Sequence, residues 1–449
     1  MSDFFVDRQT LIDLQLLDEG RHSVFSCFNH TITYGGEDAL RELFNKPLMD
    51  RRHLDERVNT IRYLMDNIGE LAFDKTTVDF VDFYLKRPDY PSSFSAFRAL
   101  QSVVKHYFSP TQAYYAKRRG VAEVFDVLAF IGQFCDTYPD SVKIPLFTRL
   151  RQLVDKFNEN PLLTRYIGAG RKHIGRYDVE RADFILRKKL RRESLELLET
   201  IYRLDAYFAV VRAARNMGLT FPEFVDAEAL TLEGVYHPLL SDAVANNVVL
   251  DPRRRVSFIT GANMSGKSTL MKAIGIAVYL AHLGFPVPAR RMKTCLMSGL
   301  ITTINLADNL AAGYSHFYHE VKRVKLVAEQ VSQHDRLLVI FDELFRGTNV
   351  KDAHDSSLRI AQAFSALEKG FFIISTHIVE VAEALQHDNS IVFSYLPTRM
   401  EAGQPVFDYQ LRPGVTDGRI GMWILENEGV FKLLEESRTQ PPLRPLAPD

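Results

Sequence analysis

The sequence predicts two fold classes in series, an all-helical half followed by an α/β half built on a mainly parallel sheet. Three observations carry that prediction. From residue 7 to about 228 apolar residues recur mostly at helical spacing. Beyond 229, short β-rich runs alternate with helical segments. The first strong run leads into a glycine-containing loop, "GANMSGKS", that opens a helix-like stretch. The 449 residues suffice for two to four domains at roughly 150 residues each.

In the first half, "LIDLQLLDE", "VAEVFDVLAFIGQF" and "ESLELLETIYRLDAYFAVVRAARNMG" have the spacing of helices with one apolar face. The last of them stops at Gly218, with Pro222 just beyond, the usual punctuation of a helix end. The second half offers "RVSFIT" (255–260), "LLVIF" (337–341), "FFIIST" (371–376), "SIVFSY" (390–395) and "PVFDYQL" (405–411) as strands. The expected domains are 1–228 and 229–436, with a proline-rich tail, "SRTQPPLRPLAPD", loose over 437–449.

Composition excludes several classes. With 46% hydrophobic and 25% charged residues the chain is neither disordered, collagenous nor a disulfide scaffold. Cys27, Cys135 and Cys295 are far apart and lack metal-ligand spacing, so they read as core thiols in a reducing compartment. The start, "MSDFFVDRQTLIDLQLL", has no basic region followed by a small-residue cleavage site, and no apolar run approaches the roughly 20 residues of a membrane span. The expectation is a soluble, cytoplasmic protein.

"GANMSGKS" fits the spacing G-x-x-x-x-G-K-[ST], between a predicted strand and a predicted helix. Glycines let the backbone curl so that its N–H groups converge, and the helix adds its positive end, which suits a nucleotide's phosphates. Gly261 and Gly266 would shape the loop, Lys267 would reach the outer phosphates and the Ser268 hydroxyl would ligate Mg²⁺. "LLVIFDE" then brings two acids to a strand end. Such acids alone are more often solvated; beside a phosphate loop, Asp342 would hold Mg²⁺ through a water and Glu343 would orient and deprotonate an attacking water. His377, just past "FFIIST", would sense or stabilise the γ-phosphate, at the strand ends where α/β sheets bind ligands. The cofactors expected are ATP and Mg²⁺.

The combination narrows further. "TGANMSGKSTLMKAIGIAVYLAHLGFPVPA" closely resembles the ATPase domain of the MutS DNA mismatch repair family, with Asn263 and Met264 inside the loop. "LADNLAAGYSHFYHEVKRV" is similar to the family's signature segment, which implies that Ser315 reaches a partner subunit's nucleotide across a dimer. "DELFRGTN", "STH" and "YHPLL" (236–240) resemble the Walker B and D-loop region, the histidine switch and the segment that opens the domain. Upstream, "LQLLDEGRHSVFSCFNHTITYGGEDALRELFNKPLMDRRHLDERVNTIRYLMDN", with its T-x-x-G-x-x-x-L and P-L-x-D pattern, is similar to the family's helical core, and "LETIYRLDAYFAVVRAARNMGLTFPEF" is similar to the end of its levers. The likeness runs from about 7 to 430. It implies a helical core and lever domain followed by an ABC-type P-loop ATPase domain, a catalytic set of Glu343, His377 and Ser315, and a nucleotide-binding set of Gly261, Asn263, Met264, Ser265, Gly266, Lys267, Ser268 and Thr269, with Ser268 and Asp342 for the metal.

Departures from the family pattern bear on the partner. The chain is expected to lack the mismatch-reading and connector domains, a full DNA clamp and the Smr nuclease domain. Phe345 stands where a glycine is usual, Asn349 where a serine is, and Ala243 near the place of an adenine-stacking aromatic. The segment 171–194, with Arg187, Lys188, Lys189, Arg191 and Arg192, offers salt-sensitive contacts to DNA phosphates, or else a solvated helix face or lever packing against acids. The leading reading is a homodimeric ATPase that couples hydrolysis to binding of double-stranded or branched DNA. The alternative is an ATP-dependent dimerisation switch acting on a protein partner. A transporter ATP-binding subunit fits less well, since no L-S-G-G-Q signature occurs.

Overall fold

The computed structural model describes residues 4–17, 22–70, 74–88, 111–138, 144–167, 174–304, 316–345, 348–401, 404–416 and 421–439. The chain divides into two compact units. A helical unit holds residues 15–222 and 278–288; an α/β unit holds 4–14, 223–277 and 289–449.

Six helices of the first unit begin where short polar side chains cap them. Ser23 forms a capping box with Ser26, and Thr33, Asp50, Asp74, Thr111 and Asn160 each accept a backbone N–H of the helix they precede. The helix Arg191–Met217 is buried on most faces from Ser194 to Ala214 and ends at Gly218 in the left-handed conformation. Among the described residues it packs most extensively against the helix Tyr34–Phe44. A Cβ added at Gly35 would lie 2.2 Å from the Tyr202 ring, and one at Gly36 would lie 2.2 Å from Asp205 Oδ2. The buried Asp205 carboxylate accepts the Thr33 amide and hydroxyl, both at 2.8 Å, and the Ile32 amide at 3.1 Å. The spacing Thr33, Gly36, Leu40 is thus a cap, a close approach and a core residue in one turn-by-turn sequence.

Between the helices Arg176–Phe184 and Arg191–Met217 the chain makes a π turn, Ile185–Lys189. Arg187, one of the residues expected to face DNA, is instead 1% exposed. It pairs with Asp183 at 3.3 Å and donates to the Arg87 carbonyl at 3.0 Å. A guanidinium so engaged is unavailable to a phosphate, which corrects the DNA expectation for Arg187 and leaves the alternative, packing against an acid. Residues 171–173 of that basic segment lie outside the described residues.

The α/β unit centres on a seven-stranded sheet ordered β1 (Phe5–Val6), β7 (Gly299–Thr303), β8 (Leu337–Asp342), β9 (Phe371–Ser375), β5 (Val256–Gly261), β10 (Ile391–Leu396) and β13 (Arg412–Pro413). All pairs are parallel except β10 with β13. β5, β8 and β9 are buried throughout, as continuous apolar runs in a sheet covered on both faces should be. A second sheet is ordered β2 (Glu223–Phe224), β6 (Arg291–Thr294), β3 (Leu230–Val235) and β4 (Asn246–Leu250). "PVFDYQL" does not extend the main sheet as one strand: β12 (Gln404–Phe407) forms a hairpin with β11 (Thr398–Glu401), and only the next two residues reach the sheet edge. At the end of the chain a helix spans Val430–Thr439, and 440–449 lie outside the described residues.

Residues 4–14, whose periodicity groups them with the helical half, belong to the α/β unit. β1 pairs with β7, and the short helix Arg8–Asp13 lies against that strand. The fully buried Asp13 carboxylate accepts the Thr302 hydroxyl and the Ile304 amide, each at 2.8 Å. Thr10 Oγ1 accepts the Thr302 amide at 2.9 Å. Asp7 pairs with Arg323 of the helix His316–Gln333, and that arginine also donates to the Thr302 carbonyl at 2.6 Å. One short segment therefore ties down the residues on both sides of 305–315.

Among the described residues no helix is long and apolar enough to cross a membrane. Cys135 and Cys295 are buried and Cys27 is half-buried; all three are free thiols whose acidity burial suppresses.

Candidate nucleotide site at the strand ends

β5 lies between β9 and β10, and the chain runs from it to strands on one side before returning to the other. The carboxyl end of such a strand faces a natural crevice. A cleft of about 750 Å³ opens there, lined by the loop after β5, the 235–246 segment, Asp342, Glu343 and Tyr409.

The loop is shaped by its glycines. Gly261 has φ 153° and Gly266 φ 95°. A Cβ at 261 would sit 2.7 Å from Ser265 Oγ and 3.1 Å from the Leu396 carbonyl, so a side chain there would block the turn. Lys267 opens the helix Lys267–His282 and is buried. Its ammonium donates to the carbonyls of Gly261 at 2.8 Å and Ala262 at 3.1 Å, and stands 4.0 Å from Glu343 Oε1. Ser265 is buried, and its hydroxyl has no hydrogen-bond partner among the described residues. Asn263 and Met264 are exposed at the loop's crest, Ser268 is exposed, and Thr269 is half-buried.

The acids arrive on β8. Ser268 Oγ donates to Asp342 Oδ2, and the other Asp342 oxygen accepts Ser375 Oγ at 2.6 Å. A serine from the loop and a serine from β9 thereby hold one carboxylate from both sides. The Glu343 amide donates to Ser375 Oγ at 3.1 Å. Glu343 carries φ 57°, a left-handed conformation that non-glycine residues seldom adopt. Its Oε2 lies 3.7 Å from Nδ1 of His377, whose side chain is half exposed. Glu343 thus stands between a buried ammonium and an accessible imidazole. Of the non-glycine residues with positive φ, Met264, Glu343 and Tyr409 line the cleft and Phe345 follows two residues after Glu343.

The opposite wall was not legible as a site. Asn246 donates to the Tyr409 carbonyl at 2.9 Å and accepts the Leu411 amide at 2.6 Å, clamping the 409–411 backbone. Tyr409 is partly exposed, packs on Phe407 with ring centroids 5.9 Å apart, and lies so close to Gly266 that a Cβ there would be 3.0 Å from its ring. His237 is buried on the same wall; burial, and then the charge of Lys272, push its pKa down to about 4, so it is neutral and its Nδ1 accepts the Leu239 amide at 3.3 Å. Ala243 lines this wall, and the nearby aromatic rings are those of Tyr236 and Tyr409.

The structure brings together the loop residues, Asp342, Glu343 and His377. Ser315 lies outside the described residues. Phe345 is buried at φ 60°, its ring 5.6 Å from Phe317, and Asn349 caps the helix Val350–Ser365 by accepting the Asp352 amide at 3.0 Å. Among the described residues no cluster of three or more His, Cys, Asp or Glu could hold a metal.

Residues 257–439 match the family described as MutS domain V. A DNA mismatch repair protein MutS from Streptococcus sanguinis (strain SK36) is 29% identical over 251 residues. That stretch covers 54% of this chain and 29% of the relative, so the match spans less than a third of that protein's length.

Proposed function

The chain carries a MutS-family domain over residues 257–439, and from that premise we propose that it is a Mg²⁺-dependent ATPase whose hydrolysis is coupled to binding of DNA, in mismatch repair or a related surveillance of DNA structure. The observation that carries this reading is the arrangement at the ends of β5, β8 and β9: Ser268 and Ser375 on Asp342, and Glu343 between Lys267 and His377.

The residues present fit the groups this activity needs. A hydroxyl and a carboxylate are the hard oxygen donors Mg²⁺ takes, with water filling its remaining positions. Ser268 and Asp342 would hold it, and when bound it would neutralise charge on the phosphates. The buried, unpartnered hydroxyl of Ser265 and the curled backbone from Gly261 to Gly266 supply a cradle for phosphate oxygens. Lys267 carries the positive charge for the outer phosphates; the loop carbonyls hold its ammonium in the interim. Glu343 accepts the proton of the attacking water, and His377 reads the terminal phosphate from the exposed side of the same carboxylate. The ring of Tyr409 offers the base a flat face that Ala243 does not.

On this reading the protein acts as a homodimer, with Ser315 completing a partner's site. The test of the nucleotide site is Lys267→Ala: binding of a fluorescent ATP analogue should weaken at least about tenfold. Unchanged affinity would remove the phosphate reading of the loop.

A further inference from the structure

The helical unit contains a second large cleft, of about 1180 Å³, between the helices Arg51–Asn67, Pro145–Asn158 and Arg191–Met217. Its cations converge from four elements: Arg57, Arg149, Lys188 and Lys189 of the π turn, and Arg191, Arg192 and Arg203 of the long helix. Three glutamates line it as well, but one of them, Glu196, is taken by Arg149 at 2.5 Å. Among the described residues Lys188, Arg192 and Arg203 form no direct ion pair, although Arg192 acts on Glu196 and Arg203 on Glu42 at longer range. Arg57 is engaged within the cleft wall: it donates to the Leu283 carbonyl at 2.7 Å and is hydrogen-bonded to Tyr207, which supports its charge against burial and the nearby Arg203. Like charges gathered in a concavity are a standing repulsion that an anion relieves.

The spacing indicates which anion. Arg192 and Arg203 are eleven residues apart on one helix, which puts them on the same face roughly 16 Å from one another. A compact triphosphate cannot bridge that distance. A nucleic-acid strand, with a charge every ~3.4 Å along the axis, passes about five phosphates across it. Among the described residues lining the cleft, His53 and Tyr207 carry the aromatic rings, too few for a row of stacking platforms for bases.

We propose that this cleft binds the phosphate backbone of DNA, without regard to sequence, through Lys188, Arg192 and Arg203. The proposal deepens the DNA part of the function above and rests on it. It also moves the contact away from the continuous face of 171–194: Arg187 is excluded by burial and its carbonyl bond, and Arg203, outside that segment, is included.

The test is fluorescence anisotropy of a labelled duplex with the full chain at about 50 and about 200 mM salt. The double variant Arg192→Glu/Arg203→Glu should weaken binding at least about tenfold and lower the salt slope by roughly two, with Arg192→Gln/Arg203→Gln intermediate. Both residues are exposed, and an unchanged thermal midpoint would show that the fold is kept. Arg253→Glu/Arg254→Glu, on an exposed turn of the α/β unit, should stay within about twofold of the wild type. Equal losses in the two reversed pairs would overturn the proposal, since net charge would then explain both. Wild-type affinity in the Arg192/Arg203 variants would overturn the cleft and leave DNA binding standing. Displacement of the duplex by micromolar tripolyphosphate would make this a compact-anion site and overturn the assignment. No wild-type binding at the lower salt would overturn both the cleft and the DNA part of the proposed function.

Discussion

Replacing Asp13 tests how the segment 4–14 is held to the α/β unit. Its carboxylate is fully buried and accepts two donors that have no water to turn to, the Thr302 hydroxyl and the Ile304 amide, besides Gln9 Nε2 at 2.8 Å. Asp13→Ala leaves the first two stranded, at about 1–3 kcal/mol each, so the expected loss is about 2–6 kcal/mol. Asp13→Asn can keep an oxygen in place for both, and a flip of the Gln9 amide accommodates the new NH₂. It forfeits only the charge assistance, about 1–3 kcal/mol in total. The assay is urea denaturation followed by hydrogen exchange at the Ile304 amide, which reports local opening even if the two units unfold separately. Thr302→Val should cost less in the Asp13→Ala background than in the wild type, because one stranded donor is then gone. If Asp13→Ala lies within about 0.5 kcal/mol of wild type, with Ile304 protection unchanged, the strap reasoning fails.

Gly36→Ala should strongly destabilise the helical unit, because its Cβ would lie 2.2 Å from Asp205 Oδ2, itself held by three donors; a thermal midpoint equal to wild type would contradict the close approach. His282 and His237 each have a pKa pushed down to about 4, first by burial. The unfolded chain, with histidine near 6.5, therefore binds more protons between those values. Stability should be full above about pH 6.5 and fall as pH drops toward 4, by up to about 3 kcal/mol per histidine. His282→Asn, whose amide can still donate to the Leu48 carbonyl now 2.9 Å from Nδ1, should flatten that acid dependence in a pH series of urea midpoints; an unaltered slope would refute it.

What the sequence revealed, and what it hid, follows from the range of the interactions. Gly261, Gly266 and Lys267 are fixed by spacing within eight residues, and the apolar run into Asp342 and Glu343 announces a buried strand with acids at its end. The partners of those residues are remote. Ser375 holds Asp342 from 33 residues away, and Asn246 clamps Tyr409 across 163. Neither carries a local pattern. β1 is two residues long, too short for any period to register, and it is defined by pairing with a strand nearly 300 positions later. Arg187 looked like a surface cation because its neighbours are cations. Its burial depends on Asp183 one turn back and on the Arg87 carbonyl 100 residues away. Phe345 is equally opaque: a bulky residue at φ 60° is tolerated because its ring packs on Phe317.

The central claim is that Glu343 activates water in an ATP-hydrolysing cleft, and Glu343→Gln tests it most directly. The amide preserves size and leaves Lys267, Ser268 and Asp342 untouched, while removing the proton acceptor between Lys267 and His377. Single-turnover hydrolysis of labelled ATP, with affinity measured in parallel, should show binding within about threefold of wild type and a rate at least ~100-fold lower. Near wild-type hydrolysis in the variant would contradict the account.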